Sequence, residues 1–223
     1  TQIYYDSGDW RATWAGEGGG VLLNQCPHQL DLLQWICGLP VKVQAFCHEG
    51  KWHDIEVEDD VTAYLEFANG ATGVFVTTTG DAPGTNRFEV TGTKGKLVCE
   101  NDALSFWKLQ EDEREFCRSA KEGFQKPPCE MVPVETDGEN PQHAGVLNAF
   151  AARILRGEPL VAEGKEGIRG LTLSNAMHLS SWLEKPVEIP FDEELFLQEL
   201  NKRRASSRRK EGGNITFSTE GSY

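Results

Sequence analysis

Three polar side chains in the stretch GEGGGVLLNQCPHQLDLLQW, residues 16–35, could do chemistry together. Asn24, His28 and Asp31 recur at helical spacing, so on one helix they would share a face within an arc of about 60°. A histidine titrates near neutral pH and can accept a proton and return it. An asparagine binds hydroxyls through both ends of its amide. Asp31 would either orient His28 or form a simple surface pair. The opposite half holds Leu22, Leu23, Cys26, Leu30, Leu33, Ile36 and Cys37, the stripe such a helix would bury. A solvated helix face explains the same pattern without any site. Pro27 removes a hydrogen bond from the carbonyl of Leu23. It predicts either a kink or a helix that begins near Gln25 with Pro27 in its first turn.

Gly18–Gly20 invite a phosphate-binding reading, but the spacing rejects it. A dinucleotide fingerprint needs GxGxxG between a strand and a helix. Counting six from Gly16 reaches Val21, and from Gly18 it reaches Leu23. No GxxxxGK[ST] is present, and RATWAGE before the glycines does not read as a strand. The glycines are expected to let backbones pack closely at the helix start. Just ahead of them, Arg11 and Trp14 either line a sugar-sized pocket or pack an entry loop. An aromatic ring can stack on a sugar, and a guanidinium can bind hydroxyls or a carboxylate.

The elements that must position these residues follow from periodicity. One helix is predicted through the quoted stretch to Gly38, where Leu39-Pro40 closes it. From Val41 to about Leu109 the pattern alternates with period two: VKVQAFCHEG, DVTAYLEFANG, ATGVFVTTTG, TNRFEVTGTKG, KLVCEN and ALSFWKLQ read as strands joined by tight turns. Residues 111–140 give no clear assignment. Three helices follow: HAGVLNAFAARILRG with Val146, Leu147, Phe150, Ile154 and Leu155 on one stripe, IRGLTLSNAMHLSSWLEK, and DEELFLQELNKRR. The expected class is α+β: an open, largely antiparallel sheet with helices layered on one face. Apolar groups on both faces of VTAYLEF and ATGVFVTTT point to a second copy of the chain on the open sheet face. A substrate-binding and oligomerisation domain is expected over residues 1–204, with a disordered tail over 205–223.

Composition narrows the function. The 223 residues carry a net charge of -13, and KRRASSRRK at 202–210 concentrates base in one segment. The acidic remainder excludes nucleic acid, whose phosphates need lysine and arginine. Six cysteines show no CxxC pair and no zinc-finger spacing, and no His/Asp/Glu group has metal spacing. No leader or apolar run long enough for a membrane helix is visible, so reduced thiols and a cytoplasmic location are expected. His48 and His53, flanking Trp52, are expected in solvent, His178 in a helical core, and His143 at a helix cap or in the pocket.

WAGEGGGVLLNQCPHQLDLLQWICGLP resembles the signature that opens the C-terminal domain of Gfo/Idh/MocA oxidoreductases, with Gly18–Gly20, Asn24, His28, Asp31 and Gly38 at matching positions. EDDVTAYLEFANGATGVFVTTT and FEVTGTKGKL resemble that family's central strands and hairpin. HAGVLNAFAARILRGEPL and GLTLSNAMHLSSWLEKPVEIP resemble its closing helices, so the likeness runs over about residues 1–200. It implies a dihydrodipicolinate-reductase-like C-terminal domain. The Rossmann domain is absent from this sequence, so NAD or NADP would be bound mainly by that N-terminal domain.

The likeness further implies hydride transfer between nicotinamide and a sugar, cyclitol or related polyol, with this fragment alone inactive. His28 would be the catalytic acid/base. Asn24, where the family often has Asp, would only hydrogen-bond substrate, and Asp31 matches the family's next acid. Arg11, Trp14, Asn86 and Arg87 complete the implied substrate contacts. Glu184-Lys185-Pro186 imitates the family's Glu-Lys-Pro motif but ends a helix, so Lys185 receives no catalytic role. The alternatives are an NAD-dependent glycosidase of the same fold and a non-catalytic dimerisation or binding module.

Overall fold

The computed structural model describes residues 1–101, 103–208 and 210. In chain order its elements are α1 (Gln2–Tyr5), α2 (Pro27–Cys37), β1 (Lys42–Glu49), β2 (Glu58–Glu66), β3 (Thr72–Thr78), β4 (Arg87–Gly92), β5 (Gly95–Glu100), β6 (Ala103–Leu109), α3 (Glu113–Ser119), β7 (Cys129–Val132), α4 (Gln142–Arg156), α5 (Gly167–Leu183), β8 (Val187–Glu188) and α6 (Glu193–Ser206). Every strand pairing is antiparallel. Where one domain is expected over residues 1–204, the contacts divide into two compact units. One joins residues 1–81 to the described residues from Val161 on; the other is Ala82–Leu160.

The strands likewise form two four-stranded sheets instead of one, in the orders β3-β2-β1-β8 and β4-β5-β6-β7. The break falls in TTGDAPGTN, where Pro83 offers no ladder N–H and Gly84 takes a positive φ of 81°. That segment cannot carry pairing onward.

In the first unit, alternation sets which residues enter the core. The register pairs Val43 with Leu65, Ala45 with Ala63 and Cys47 with Val61. Val43, Ala45, Val61, Ala63 and Leu65 are all buried. Against this face lie Leu173, Ala176 and Met177 of α5, with Leu30 of α2 and Val21 and Leu22 ahead of it. Two serines of α5 tie the helix to the strand beneath: Ala45 N–H donates to Ser180 Oγ at 3.0 Å and Cys47 N–H to Ser181 Oγ at 2.9 Å. The other face of the same sheet exposes Phe46, Tyr64, Val74 and Val76. Thus the helices cover one sheet face and leave an apolar row on the other.

In the second unit, β4 to β7 form a meander, and Asp112 caps α3 by accepting from Arg114 N–H. α4 forms at the expected place, but Val146, Leu147, Phe150, Ile154 and Leu155 all stand exposed along it.

The expectation of disorder from residue 205 is corrected for the described part of the tail. α6 continues to Ser206, Ser207 Oγ donates to Glu56 Oε2 at 2.6 Å, and Lys210 Nζ donates to the Tyr5 carbonyl at 2.9 Å. Glu56 supplies the partner that composition alone does not reveal. Residues 211–223 of the expected tail lie outside the described residues.

Met177 sits at the centre of the α5–sheet packing with no exposed surface. Met177→Ala is expected to remove about 2–5 kcal/mol of stability through lost contacts and a residual cavity. Urea unfolding should show this as a lower midpoint with an unchanged slope.

Candidate functional site

The glycine loop is built around one buried carboxylate. Gly20 N–H reaches both oxygens of Glu58 at 2.9 Å, and Leu22 N–H donates to Oε1 at 3.1 Å. Val21 N–H donates to the Glu58 carbonyl at 2.9 Å. This approach requires glycine: a Cβ on Gly20 would stand 2.1 Å from that carbonyl oxygen. The loop amides are therefore spent on a protein carboxylate, and a pyrophosphate there would meet its negative charge. Gly20 serves this close backbone approach.

Glu58 is fully buried, and His178 Nε2 lies 3.0 Å from its Oε2. Among the described residues the ring nitrogens of His178 have no well-aligned hydrogen-bond partner, so the contact is one of charge and proximity. Burial opposes ionisation of Glu58, but the imidazole beside it and the backbone N–H groups outweigh burial and hold its carboxyl below the ordinary range. The imidazole stacks on Trp182 at 5.3 Å and meets the edge of Trp14 at 5.7 Å. Trp14 is only 4% exposed, inside a cluster with Tyr5, Ala12 and Val57. The stacking role expected for Trp14 is therefore corrected: its ring belongs to the core, because His178 and Trp182 take its contacts.

Pro27 decides the start of α2. It occupies the first helical position after the cap residue Cys26, and the first helical bond runs from Leu30 N–H to the Cys26 carbonyl. Asn24 lies before the helix, in a turn where its N–H donates to the Gly20 carbonyl. Of the two outcomes expected from Pro27, the later helix start with Pro27 in its first turn is the one observed, so Asn24 lies ahead of the helical face that carries His28.

Asn24 is held at both ends of its amide. Tyr4 OH donates to Oδ1 at 2.6 Å, and Nδ2 donates to Glu17 Oε1. The other Glu17 oxygen accepts from Ala12 N–H at 2.7 Å. Arg11 Nη1 donates to Tyr4 OH at 2.9 Å, and its guanidinium lies 4.6 Å from the Tyr4 ring centroid and 4.5 Å from that of Trp10. The structure thus joins Arg11 and Asn24, two expected binding residues, through Tyr4. Tyr4 and Glu17 had no signal of their own: Tyr4 stands 20 residues from Asn24 with no period linking them.

His28 is exposed, one residue into α2, with no hydrogen-bond or ion-pair partner among the described residues. Asp31 Oδ1 accepts from the buried Gln34 Nε2 at 2.8 Å, and no bond joins it to His28 among the described residues. Asn86 and Arg87 belong to the second unit. Asn86 is exposed just before β4. Arg87 bridges Glu100 across the hairpin at 2.7 Å and Glu89 on its own strand at 2.5 Å.

His53 also departs from expectation. It is mostly buried, with Nδ1 3.0 Å from Asp59 Oδ2 and its ring 4.9 Å from that of Tyr5. All six cysteines are free thiols. Burial pushes the Cys26 thiol up to about 12 and the Cys47 thiol higher still, so neither is a ready nucleophile. Among the described residues no cluster of three or more ligating side chains could hold a metal, and no helix is long and apolar enough to cross a membrane.

Residues 2–98 match the family model described as the GFO/IDH/MocA C-terminal domain. Among solved structures, the WlbA dehydrogenase of Chromobacterium violaceum, in complex with NADH and UDP-GlcNAcA, is 28% identical with a TM-score of 0.66, over 86% of this chain and 52% of that one. The WlbA dehydrogenase of Bordetella pertussis, bound to the same two molecules, is 24% identical with a TM-score of 0.67, over 86% and 51%. A levoglucosan dehydrogenase in complex with NADH and levoglucosan shares the fold at 20% identity and a TM-score of 0.61, over 82% and 54%. This chain spans about half the length of these proteins. No curated protein sequence matches it.

Glu58→Gln is expected to cost about 3–5 kcal/mol at neutral pH, because it removes the charge partner of His178 and one acceptor geometry of the loop. The sign with pH follows from the lowered carboxyl. Its stabilisation is complete above the unfolded value of about 4.3 and is lost as pH falls through the lower folded value. Urea midpoints between about pH 2 and 5 should fall for the wild type and change less for Glu58→Gln.

Proposed function

We propose, on the premise that residues 2–98 of this chain are a GFO/IDH/MocA C-terminal domain, that the chain is the substrate side of an NAD(P)-dependent dehydrogenase acting on a sugar, cyclitol or related polyol. The observation that carries this reading is His28: an exposed imidazole in the first turn of α2, unclaimed by any described partner, four residues after an amide fixed by Tyr4 and Glu17. In this reading a ring nitrogen of His28 takes the proton of the reacting hydroxyl as its carbon is oxidised, and returns it in the reverse direction. Asn24 and Arg11 bind neighbouring groups of the sugar. The nicotinamide supplies the hydride acceptor and is held outside residues 1–223, a placement supported by the saturation of the glycine loop with Glu58. The solved relatives named above carry NADH with a sugar or sugar nucleotide, which supports the same class here.

The full-length gene product, assayed for NADH and NADPH formation over a panel of sugars and polyols, should lose roughly 10²-fold or more of kcat with His28→Ala. Unchanged turnover in that variant would remove His28 from the chemistry and leave the domain a binding module.

A second feature belongs to the same reading. Phe46, Tyr64, Val74 and Val76 form an apolar row on the uncovered sheet face, and we assign that face to a second copy of the chain. Val76→Glu should shift the protein toward monomer in sedimentation velocity, with the far-ultraviolet circular dichroism of the wild type retained.

A further inference from the structure

We propose that Ser206 is a phosphorylation site whose modification opens the clasp between the end of α6 and the segment that leads into the glycine loop. This is independent of the sugar-site reading. The segment KRRASSRRK, residues 202–210, holds six basic residues and no acid, in a chain with 35 acidic residues. Within it Arg203 and Arg204 stand three and two residues before Ser206. A serine kinase that reads its substrate by charge needs guanidinium groups a short, fixed distance ahead of the hydroxyl, where they pair with carboxylates of the enzyme. The segment is also accessible. Arg204, Ala205, Ser206 and Arg208 are exposed, and no residue of α6 is fully buried. Its final turn can therefore unwind into the extended form such an enzyme binds, at the small cost of opening a helix end.

The unmodified hydroxyl closes the helix. Ser206 Oγ donates to the carbonyl of Arg203 at 3.0 Å and to that of Lys202 at 3.4 Å. The next residue joins three segments. Ser207 Oγ donates to Glu56 Oε2 at 2.6 Å and accepts from Ala15 N–H at 3.2 Å, while Arg208 N–H donates to Glu56 Oε1. Trp14 N–H donates to Glu56 Oε2 at 3.3 Å. One half-buried carboxylate thus holds the end of α6 against the two residues that precede Gly16.

In the transfer, Ser206 Oγ attacks the γ-phosphorus of a nucleoside triphosphate. The Oγ–P bond forms, the bond from that phosphorus to the bridging β-phosphate oxygen breaks, the nucleoside diphosphate leaves, and the hydroxyl proton passes to a base of the kinase. The product has lost its O–H donor and carries a charge of about -1.5 to -2 at neutral pH. It stands at the negative end of the α6 dipole and one residue from the Glu56 clasp, and both repel it. The engaged cations do not hold it there. Lys202 and Arg203 are paired with Glu199, Arg203 also with Glu49, and Lys210 is bound to the Tyr5 carbonyl. Arg204 and Arg208 are exposed, so pairing with them draws the phosphate outward. The last turn of α6 then loosens, and Ser207 and Arg208 leave Glu56.

The test treats the 223-residue chain with magnesium ATP and the catalytic subunit of the cyclic-AMP-dependent protein kinase, a serine kinase that reads basic residues. Intact mass should show one added phosphoryl group, and fragmentation should place it on Ser206. Ser206→Ala should abolish incorporation and Ser207→Ala should keep it. Arg204→Ala should slow it roughly 10-fold or more, the worth of one hydrogen-bonded charge. Hydrogen exchange of the phosphorylated protein should be roughly 10-fold faster or more at the amides of Trp14, Ala15 and Arg208. The amides of β1 and β2 should exchange as in the unmodified protein, which checks that the fold is kept. No incorporation, or phosphate only on another residue, would overturn the site. Phosphate on Ser206 with unchanged exchange at those three amides would overturn the opening of the clasp. Faster exchange throughout β1 and β2 would overturn it too, because the charge would then unfold the unit and not release one contact.

Discussion

The buried carboxylate of Glu58 is the constraint on which the first unit depends. It stands at the start of β2, so the sheet fixes its backbone, and its side chain then fixes two other segments. Backbone amides of the glycine loop converge on it from one side and the imidazole of His178 approaches from α5. An ionised carboxylate without these partners would be costly to bury. With them it ties the loop that leads into α2 to the helix that covers the sheet. Gly20 is demanded by the same arrangement, since the loop backbone runs against the Glu58 carbonyl with no room for a side chain.

The two acids that follow Glu58 repeat the device at the neighbouring loop. Asp59 accepts from the backbone N–H groups of Lys51, Trp52 and His53. Asp60 takes the Lys51 ammonium and the Trp52 indole N–H. Three consecutive carboxylates thus organise the two loops that approach β2, one through buried amides and the next through a turn. Beyond Glu58 the packing becomes aromatic. Trp14, His178, Trp182 and Phe196 lie ring against ring, linking the N-terminal segment to α5 and α6, and the Arg203 guanidinium lies 4.1 Å from the Trp182 ring centroid. The tail joins the same construction through Glu56, so both ends of the described chain are anchored near β2.

What was legible in the sequence was the part governed by local periodicity. The alternation in DVTAYLEF places Val61, Ala63 and Leu65 inside, and the 3.6-residue stripe of α2 places Leu30 inside. The close backbone approach expected of the glycines is seen at Gly20. Long-range pairing was not legible. Nothing local joins Tyr4 to Asn24, or Glu58 to His178 across 120 positions of chain, and EDD reads simply as charge at a strand start. Nor were the contacts of two expected binding residues legible: the ring of Trp14 packs against Trp182, and Arg87 pairs with Glu100 across the hairpin and with Glu89 on its own strand. The α4 stripe shows the converse limit: its period correctly predicts a helix and says nothing of what covers it.

Asn24 illustrates how the cluster divides its labour. A carboxylate at this position would face Glu17 at hydrogen-bond range, where two negative charges repel and no donor remains. Asparagine resolves this by donating to Glu17 with one end and accepting from Tyr4 with the other. The carboxylate of the cluster therefore sits one step further from the helix, saturated by the Ala12 N–H and by the amide it orients. The Tyr4 hydroxyl already donates a hydrogen bond to Asn24 Oδ1, and Asp31 is turned to Gln34. In the proposed chemistry that leaves binding and orientation to the ordered cluster and proton transfer to His28, whose imidazole has no competing partner among the described residues.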